Sequence, residues 1–288
     1  MNRINTKKTM KKYLFLLLIG VMGLTACGDD DPVVPKLNKL TNISCYKDSE
    51  TSPLFTAEIN YDIEGKISNM NLSGERKLLF IYSNDRFTVT DVNSGNATAE
   101  YVLSGNVITG MSVQKENARA NQMYVSEEYR YRYSGSELKM TSCKLRWPKE
   151  KESGYEERVY DEYEKYTWQD KNVVLYSKVL DDREMRYEYS LEKCPGNFPL
   201  RAIGSFSPVG FEAVSPLNFM FGAINRNLPT RAFTYRIPNV SDIETEYTYT
   251  YNVVGDYITG MTIEESENGR TTTYRYRFEY NFEVASQG

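Results

Sequence analysis

Two stretches 150 residues apart decide how this chain folds: Tyr101-Val-Leu-Ser-Gly105-Asn-Val-Ile108-Thr-Gly-Met111-Ser-Val113 and Tyr251-Asn-Val-Val-Gly255-Asp-Tyr-Ile258-Thr-Gly-Met261-Thr-Ile263. Tyr, Gly, Ile, Thr, Gly and Met coincide without a gap, and a hydroxyl residue and then a β-branched residue follow in both. Looser copies begin at Tyr61-Asp-Ile-Glu-Gly65-Lys-Ile67 and Tyr133-Ser-Gly135-Ser-Glu-Leu138. An aromatic that ends one strand, a Gly that tolerates the positive φ of a tight turn, and a β-branched residue that opens the next strand together spell a β-hairpin. The repeat is therefore a turn with its two flanking strands.

Outward from these turns the sequence alternates with period two. Tyr129, Tyr131 and Tyr133 fall on one face and Arg130 and Arg132 on the other; Tyr247, Tyr249 and Tyr251 oppose Glu246, Thr248 and Thr250. Tyr274, Tyr276, Phe278, Tyr280 and Phe282 oppose Arg275, Arg277 and Glu279 in the same way. Further turns are expected at Asn84-Asp85, Asn93 to Asn96, Pro148 to Gly154 and Asp181-Asp182. That cadence predicts an all-β fold, an antiparallel meander of repeated hairpins forming a curled sheet or barrel.

One segment departs from the pattern. Between Cys194 and Ile237 the composition turns to Pro, Gly and Phe, and charge nearly vanishes from Glu212 to Arg226. Ser215-Pro216 reads as an N-cap with proline at the first helical position, and Leu217, Met220, Phe221 and Ile224 follow at helical spacing. One short helix is predicted near residues 216–225, placed to plug an open end, cover a sheet face or line a ligand cavity.

The first 26 residues read as a lipoprotein signal peptide. Arg3, Lys7, Lys8, Lys11 and Lys12 precede an apolar run from Tyr13 to Gly23, too short for a membrane span, which ends at Leu24-Thr25-Ala26-Cys27. Leu, two small residues and Cys form a lipobox, which makes Cys27 the expected lipidation site and a lipid anchor the expected membrane partner. Residues 27–40 form an acidic, proline-bearing tether with Asp29, Asp30, Asp31, Pro32 and Pro35, and residues 41–288 a single tyrosine-rich β domain. The acidic run after the cysteine resembles the export signal of surface lipoproteins in the Bacteroidetes, which implies an outer-membrane, outward-facing address.

The signal peptide carries five positive charges and no negative ones, so the mature chain is more acidic than the net −4 of the whole, at about −9. Such a surface argues against a nucleic-acid partner. There is no histidine, which removes the Ser-His-Asp and Cys-His triads and imidazole-ligated zinc. No phosphate-cradling Gly-rich loop, G-x-S-x-G or calcium-loop pattern occurs, so no cofactor is expected. Besides Cys27 the cysteines are Cys45, Cys143 and Cys194, which admit one disulfide in any of three pairings or none.

Paired carboxylates could hydrolyse glycosides without histidine, but the richest acidic run, Glu156 to Glu164, reads as a solvated strand face. The expected role is a non-catalytic module for an extracellular glycan or protein, with Trp147 and Trp168 as candidate ligand contacts because flat rings stack on sugars and anchor interfaces. A structural or accessory subunit of an outer-membrane assembly is the alternative, and a carboxylate glycosidase a third.

Taken with Asn227-Leu228-Pro229-Thr230, the lipobox, tether and Tyr-x-x-x-Gly turns make residues 40–284 resemble a Bacteroidetes lipoprotein family of unknown function with a porin-like, meandering β fold. The resemblance implies architecture and no catalytic or binding position. It does not imply a pore: a lipid-facing barrel keeps an apolar outer band, whereas these strands alternate Tyr with Arg and Glu and the mean hydropathy is −0.56.

Overall fold

The computed structural model describes residues 39–74, 76–92, 98–117, 122–150, 153–195, 209–238 and 242–281. The signal peptide, Cys27, most of the tether, the turn expected at residues 93–96 and Phe282 lie outside these. Sixteen antiparallel strands close into one barrel in chain order, the last pairing with the first. They are β1 (Lys39–Lys47), β2 (Phe55–Tyr61), β3 (Ile67–Leu72), β4 (Arg76–Ser83), β5 (Arg86–Asp91), β6 (Thr98–Ser104), β7 (Val107–Asn117) and β8 (Gln122–Ser134). The second half is β9 (Glu137–Pro148), β10 (Tyr155–Gln169), β11 (Asn172–Lys178), β12 (Arg183–Lys193), β13 (Asn227–Arg236), β14 (Ile243–Val254), β15 (Tyr257–Glu267) and β16 (Arg270–Asn281).

The alternation decides which way each strand faces. Ile43, Ile59, Met70, Phe87, Met185, Ile263 and Phe278 are buried, each flanked by polar residues on the opposite face, and Tyr176 and Met261 are buried with them. In a closed sheet that buried face is the bore. The outer face carries cross-strand pairs such as Arg86 with Glu100 at 2.8 Å and Arg236 with Glu244 at 2.8 Å; Arg277 lies 3.2 Å from Glu279 on its own strand. Exposed pairs like these contribute only about 0–1 kcal/mol each. Their consequence is for location, since each such charge at the middle of a bilayer would cost roughly 2–4 kcal/mol. The wall is thus mainly apolar inside and charged outside, the reverse of a channel-forming porin.

The Ile-Thr-Gly-Met repeat has a structural reading at one end of the barrel. Just after the turn, Ile108 and Ile258 point into the bore; Thr109 and Thr259 are extra residues in a bulge, where the register steps from Val102↔Gly110 to Leu103↔Ile108 and from Asn252↔Gly260 to Val253↔Ile258. The threonine hydroxyls donate to the carbonyls of Val102 at 3.3 Å and Asn252 at 3.4 Å. Ser68 occupies the same position in the third copy and donates to Asn60 at 3.1 Å. Met261 resumes the inward face in the core, and Met111 lies opposite the inward Tyr101.

A ring of aromatics completes this end. On even-numbered strands the hydroxyls of Tyr61, Tyr133, Tyr189, Tyr251 and Tyr280 donate to the carbonyls of Leu40, Ile108, Val173, Pro229 and Ile258 on the strand before, at 2.6–2.9 Å. The indole Nε1 of Trp168 does the same to Leu138 at 2.7 Å. Burial and the neighbouring Tyr82 push the Tyr61 hydroxyl up to about 12, so it stays protonated and able to donate. The tyrosine of the repeat therefore serves both as core filler and as a stitch between strands.

Tyr249 is the exception. Its hydroxyl is the one buried side-chain polar atom without a hydrogen-bond partner among the described residues. A buried unpaired polar group costs about 1–3 kcal/mol. Tyr249→Phe is therefore expected to raise the urea midpoint, by about 1 kcal/mol of stability, and Tyr280→Phe to lower it by a similar amount because the Ile258 carbonyl is orphaned. Equilibrium urea unfolding of the two variants checks the opposite signs.

The helix expected near residues 216–225 is shorter and tighter than the sequence suggests. A four-residue helix, α1 (Phe211–Val214), precedes a six-residue 3₁₀ helix, Pro216–Phe221. Ser215 caps the latter by accepting from the Leu217 amide at 3.4 Å. The helix ends at Gly222, where φ is +86°, before an α-helical stripe could extend to Ile224. Its surroundings explain the shortness, because the segment is wedged between opposite walls of the barrel. Phe211 packs on Phe55 of β2 (6.4 Å between centroids), and the Gly210 amide donates to the Tyr276 hydroxyl of β16 at 2.9 Å. On the far side Phe221 packs on Tyr131 of β8 at 5.1 Å, and the Ala223 amide donates to the Ser136 carbonyl at 2.7 Å. A segment that touches β2, β8 and β16 from within occupies the bore. Val214 is fully buried there.

Candidate functional site

The end of the barrel opposite the aromatic ring carries the features that the hairpin repeat does not explain. Along β10 the pairing with β9 steps from Tyr160↔Cys143 to Glu164↔Thr141, so three residues of β10 oppose one of β9. Wide irregularities of this kind re-aim side chains and cluster beside functional sites. Here the bulge turns Tyr163 and Glu164 toward the interior: Tyr163 is buried, and its ring lies 5.8 Å from that of Tyr129 and 5.7 Å from that of Tyr160. The Val179 amide of the next hairpin donates to the Tyr163 carbonyl at 2.9 Å and fixes the bulge in place.

Beneath it lies a polar layer. Glu164 accepts from Thr141 at 2.9 Å, Tyr166 at 3.0 Å and Tyr176 at 3.1 Å, which satisfies the carboxylate with three hydroxyls. Glu127 accepts from Tyr129 at 3.0 Å and pairs with Lys115 at 3.0 Å. Burial pushes the Cys143 thiol up to about 11, so this buried cysteine is held as an inert thiol and is not an activated nucleophile. Cys45, Cys143 and Cys194 form no disulfide.

Above the bulge a cleft of about 540 Å³ opens between β10, β11 and β12, a size that takes small ligands or a few side chains. Tyr160 and Tyr163 lie in its wall with Lys178, whose ammonium sits 5.1 Å from the centre of the Tyr163 ring. The carboxylates of Asp161, Glu162, Asp181 and Glu184 surround it. A hydrogen bond and the charge of Lys165 hold the Glu162 carboxyl below its usual range, so it is ionised and not a poised proton donor. The acidic run Glu156 to Glu164 is thus a solvated face only in part: Glu157 pairs outward with Lys144 at 2.9 Å, whereas Tyr163 and Glu164 turn in.

The two tryptophans do not meet. Trp168 belongs to the aromatic ring, packed against the core. Trp147 lies at the far end of the β9–β10 pair, half-buried, its Nε1 donating to Glu156 at 3.1 Å and its face 5.5 Å from the Arg158 guanidinium. The cleft residues escaped the sequence reading, although one signal was present: Tyr160 and Tyr163 are three apart, a spacing that one face of an uninterrupted strand cannot hold.

A second cavity, of about 530 Å³, lies along β14–β16 by Asn252, Gly260, Arg277 and Glu279. It arises where the repeat places glycine after the bulge, a side chain at Gly260 being limited by the Asn252 amide 3.0 Å from where its Cβ would stand.

Among solved structures, a porin-like protein from Bacteroides vulgatus ATCC 8482 is similar over 85% of this chain and 99% of its own, at 13% identity and a TM-score of 0.54. That likeness concerns the barrel fold. Comparison with curated proteins finds no match. Residues 27–285 match the profile of a family described as "Domain of unknown function (DUF5032)", and the chain belongs to that family.

Proposed function

We propose that the protein is a lipid-anchored module of the outer membrane, tethered through Cys27 on the cell exterior, that binds an extracellular glycan or protein and catalyses no reaction. The lipobox and the acidic tether support the anchor and the address. The charged outer wall and the bore occupied by residues 209–226 favour a barrel that stands in water on its tether over one that conducts through the membrane. The observation that carries the binding reading is the cleft over the β10 bulge, where the fold gives up strand pairing to hold Tyr160, Tyr163 and Lys178 among four carboxylates.

Metabolic labelling with an alkynyl fatty acid, followed by protease treatment of intact cells, tests the address. The wild-type chain should be labelled and degraded from outside, and Cys27→Ser should lose the label and leave the membrane fraction. Retention of Cys27→Ser in washed membranes would end the anchor. Glycan arrays and cross-linked pull-downs from intact cells test the binding role, and blank results in both would end it.

A further inference from the structure

We infer that the β10–β12 cleft docks a basic, partly apolar peptide segment of a partner protein; this rests on the reading of the molecule as a binding module and chooses between its two ligand classes. Three observations carry it. The first is charge. Asp161, Glu162, Asp181 and Glu184 line the cleft, and Lys165 and Lys178 are the cations among its lining residues. Lys165 is already paired with Glu162, Arg186 pairs with Glu184 at 3.6 Å from outside the lining, and Lys178 leans on the Tyr163 ring. Among the described residues Asp161 and Asp181 have no ion-pair partner. Asp161 and Asp181 therefore remain as negative charges that a cationic ligand would neutralise.

The second observation is an apolar rim. Val179 and Leu180, in the turn between β11 and β12, are 56% and 50% exposed; Ile237 and Ile243, flanking the turn between β13 and β14, are 41% and 49% exposed. The two turns adjoin, since the Ile237 amide donates to the Asp182 carbonyl at 2.6 Å. Val179 and Ile237 also line the cleft. Grouped aliphatics beside a polar pocket mark a protein-binding surface. A ligand that matches both features has aliphatic side chains interleaved with Lys or Arg.

The third observation weighs against a sugar. Stacking on a saccharide needs a bare ring face, but Tyr163 is 6% exposed and Lys178 covers its face. Trp168 is built into the wall at the other end of the barrel. A lysine or arginine, by contrast, needs only the carboxylates and an aliphatic shelf for its stem.

Fluorescence anisotropy of the purified mature chain with a fluorescein-labelled Lys-Leu-Lys-Leu-Lys-Leu peptide tests this at about 50 mM salt, where screening is weak. A Glu-Leu peptide of the same length and a panel of neutral hexasaccharides are the other probes. The Lys-Leu peptide should bind and the Glu-Leu peptide should not. The pair Asp161→Asn with Asp181→Asn should weaken binding about tenfold, and Leu180→Ser with Ile237→Ser several-fold. Glu64→Gln with Glu100→Gln, which removes two carboxylates elsewhere on the barrel, should change it less than about twofold. Equal weakening by the distant pair, or equal binding of the Glu-Leu peptide, would overturn the inference. Binding of a hexasaccharide with none of the peptide would overturn it while leaving the binding module standing. Silence from every probe, together with blank pull-downs, would remove both.

Discussion

Met261→Glu is expected to abolish cooperative folding near neutral pH, whereas Thr262→Glu, one residue along, leaves the unfolding midpoint within about 0.5 kcal/mol of wild type. Met261 faces the bore and is 1% exposed; Thr262 faces outward between Thr250 and Arg275. Placing a carboxylate at 261 forfeits about 1.5–3 kcal/mol of apolar burial. It also adds a desolvation penalty of several kcal/mol for an unpaired buried ion. Against a typical total stability of 5–15 kcal/mol, that sum is large enough to unfold the chain. Burial raises the folded-state pKa of such a carboxyl above its unfolded value. The deficit should therefore be smallest below about pH 4, where the group is neutral in both states, and should grow as pH rises through the folded pKa. Circular dichroism with urea at several pH values measures it. At Thr262 the new carboxylate stays in water beside Arg275, and no such dependence is expected.

Gly222→Ala should dislodge the segment that fills the bore. A Cβ at 222 would lie 2.3 Å from the carbonyl oxygen of Ser136, a backbone atom that also accepts from the Ala223 amide. The position further requires φ of +86°. Left-handed strain of about 1–2 kcal/mol and overpacking of about 1–3 kcal/mol add to a loss of roughly 2–5 kcal/mol. Gly135→Ala is the control for strain alone, since φ there is +59° and nothing lies within 4 Å of the new Cβ; it should cost about 1–2 kcal/mol. Limited proteolysis reads the difference: cleavage between Cys194 and Arg226 should accelerate strongly in Gly222→Ala and hardly at all in Gly135→Ala.

The architecture was legible because one physical demand, an apolar bore under a wet exterior, writes itself at period two along every strand. The triple Tyr129, Tyr131, Tyr133 and the series Tyr274 to Tyr280 needed no partner to be read. Repetition of the turn made closure plausible, but strand number and closure depend on β16 finding β1, a contact between residues some 230 apart that local pattern does not encode. The same limit hid the tyrosine stitches, for the acceptor of Tyr280 is a carbonyl on β15 whose availability depends on the register of its neighbours. The helix was placed correctly by Ser215-Pro216 and misjudged in type, because packing against two opposite walls, and not helical periodicity, sets the conformation of Leu217 to Phe221. The cleft is hidden in the sequence by the charge run from Glu156 to Glu164, inside which the odd spacing of Tyr160 and Tyr163 is the informative part. Aromatic character alone singles out Trp147 and Trp168 in the sequence; Trp168, donating to the Leu138 carbonyl, is a wall residue like the tyrosines around it, whereas Trp147 sits half-buried against Glu156 and Arg158.

Thiol reactivity of single cysteines introduced along β15 and β16 tests the filled, inward-apolar bore most directly, using a charged, membrane-impermeant maleimide on the folded chain. Native Cys45 and Cys143, whose buried thiols are pushed up to about 11, serve as internal standards of protection. Met261→Cys, Ile263→Cys and Tyr276→Cys should stay unmodified until denaturant is added, while Thr262→Cys, Arg275→Cys and Arg277→Cys should react within seconds to minutes, with or without liposomes. Rapid modification at 261, 263 and 276 would mean a water-filled lumen, and protection of 262, 275 and 277 by lipid would mean a membrane-embedded wall; either result contradicts the structure described for this barrel.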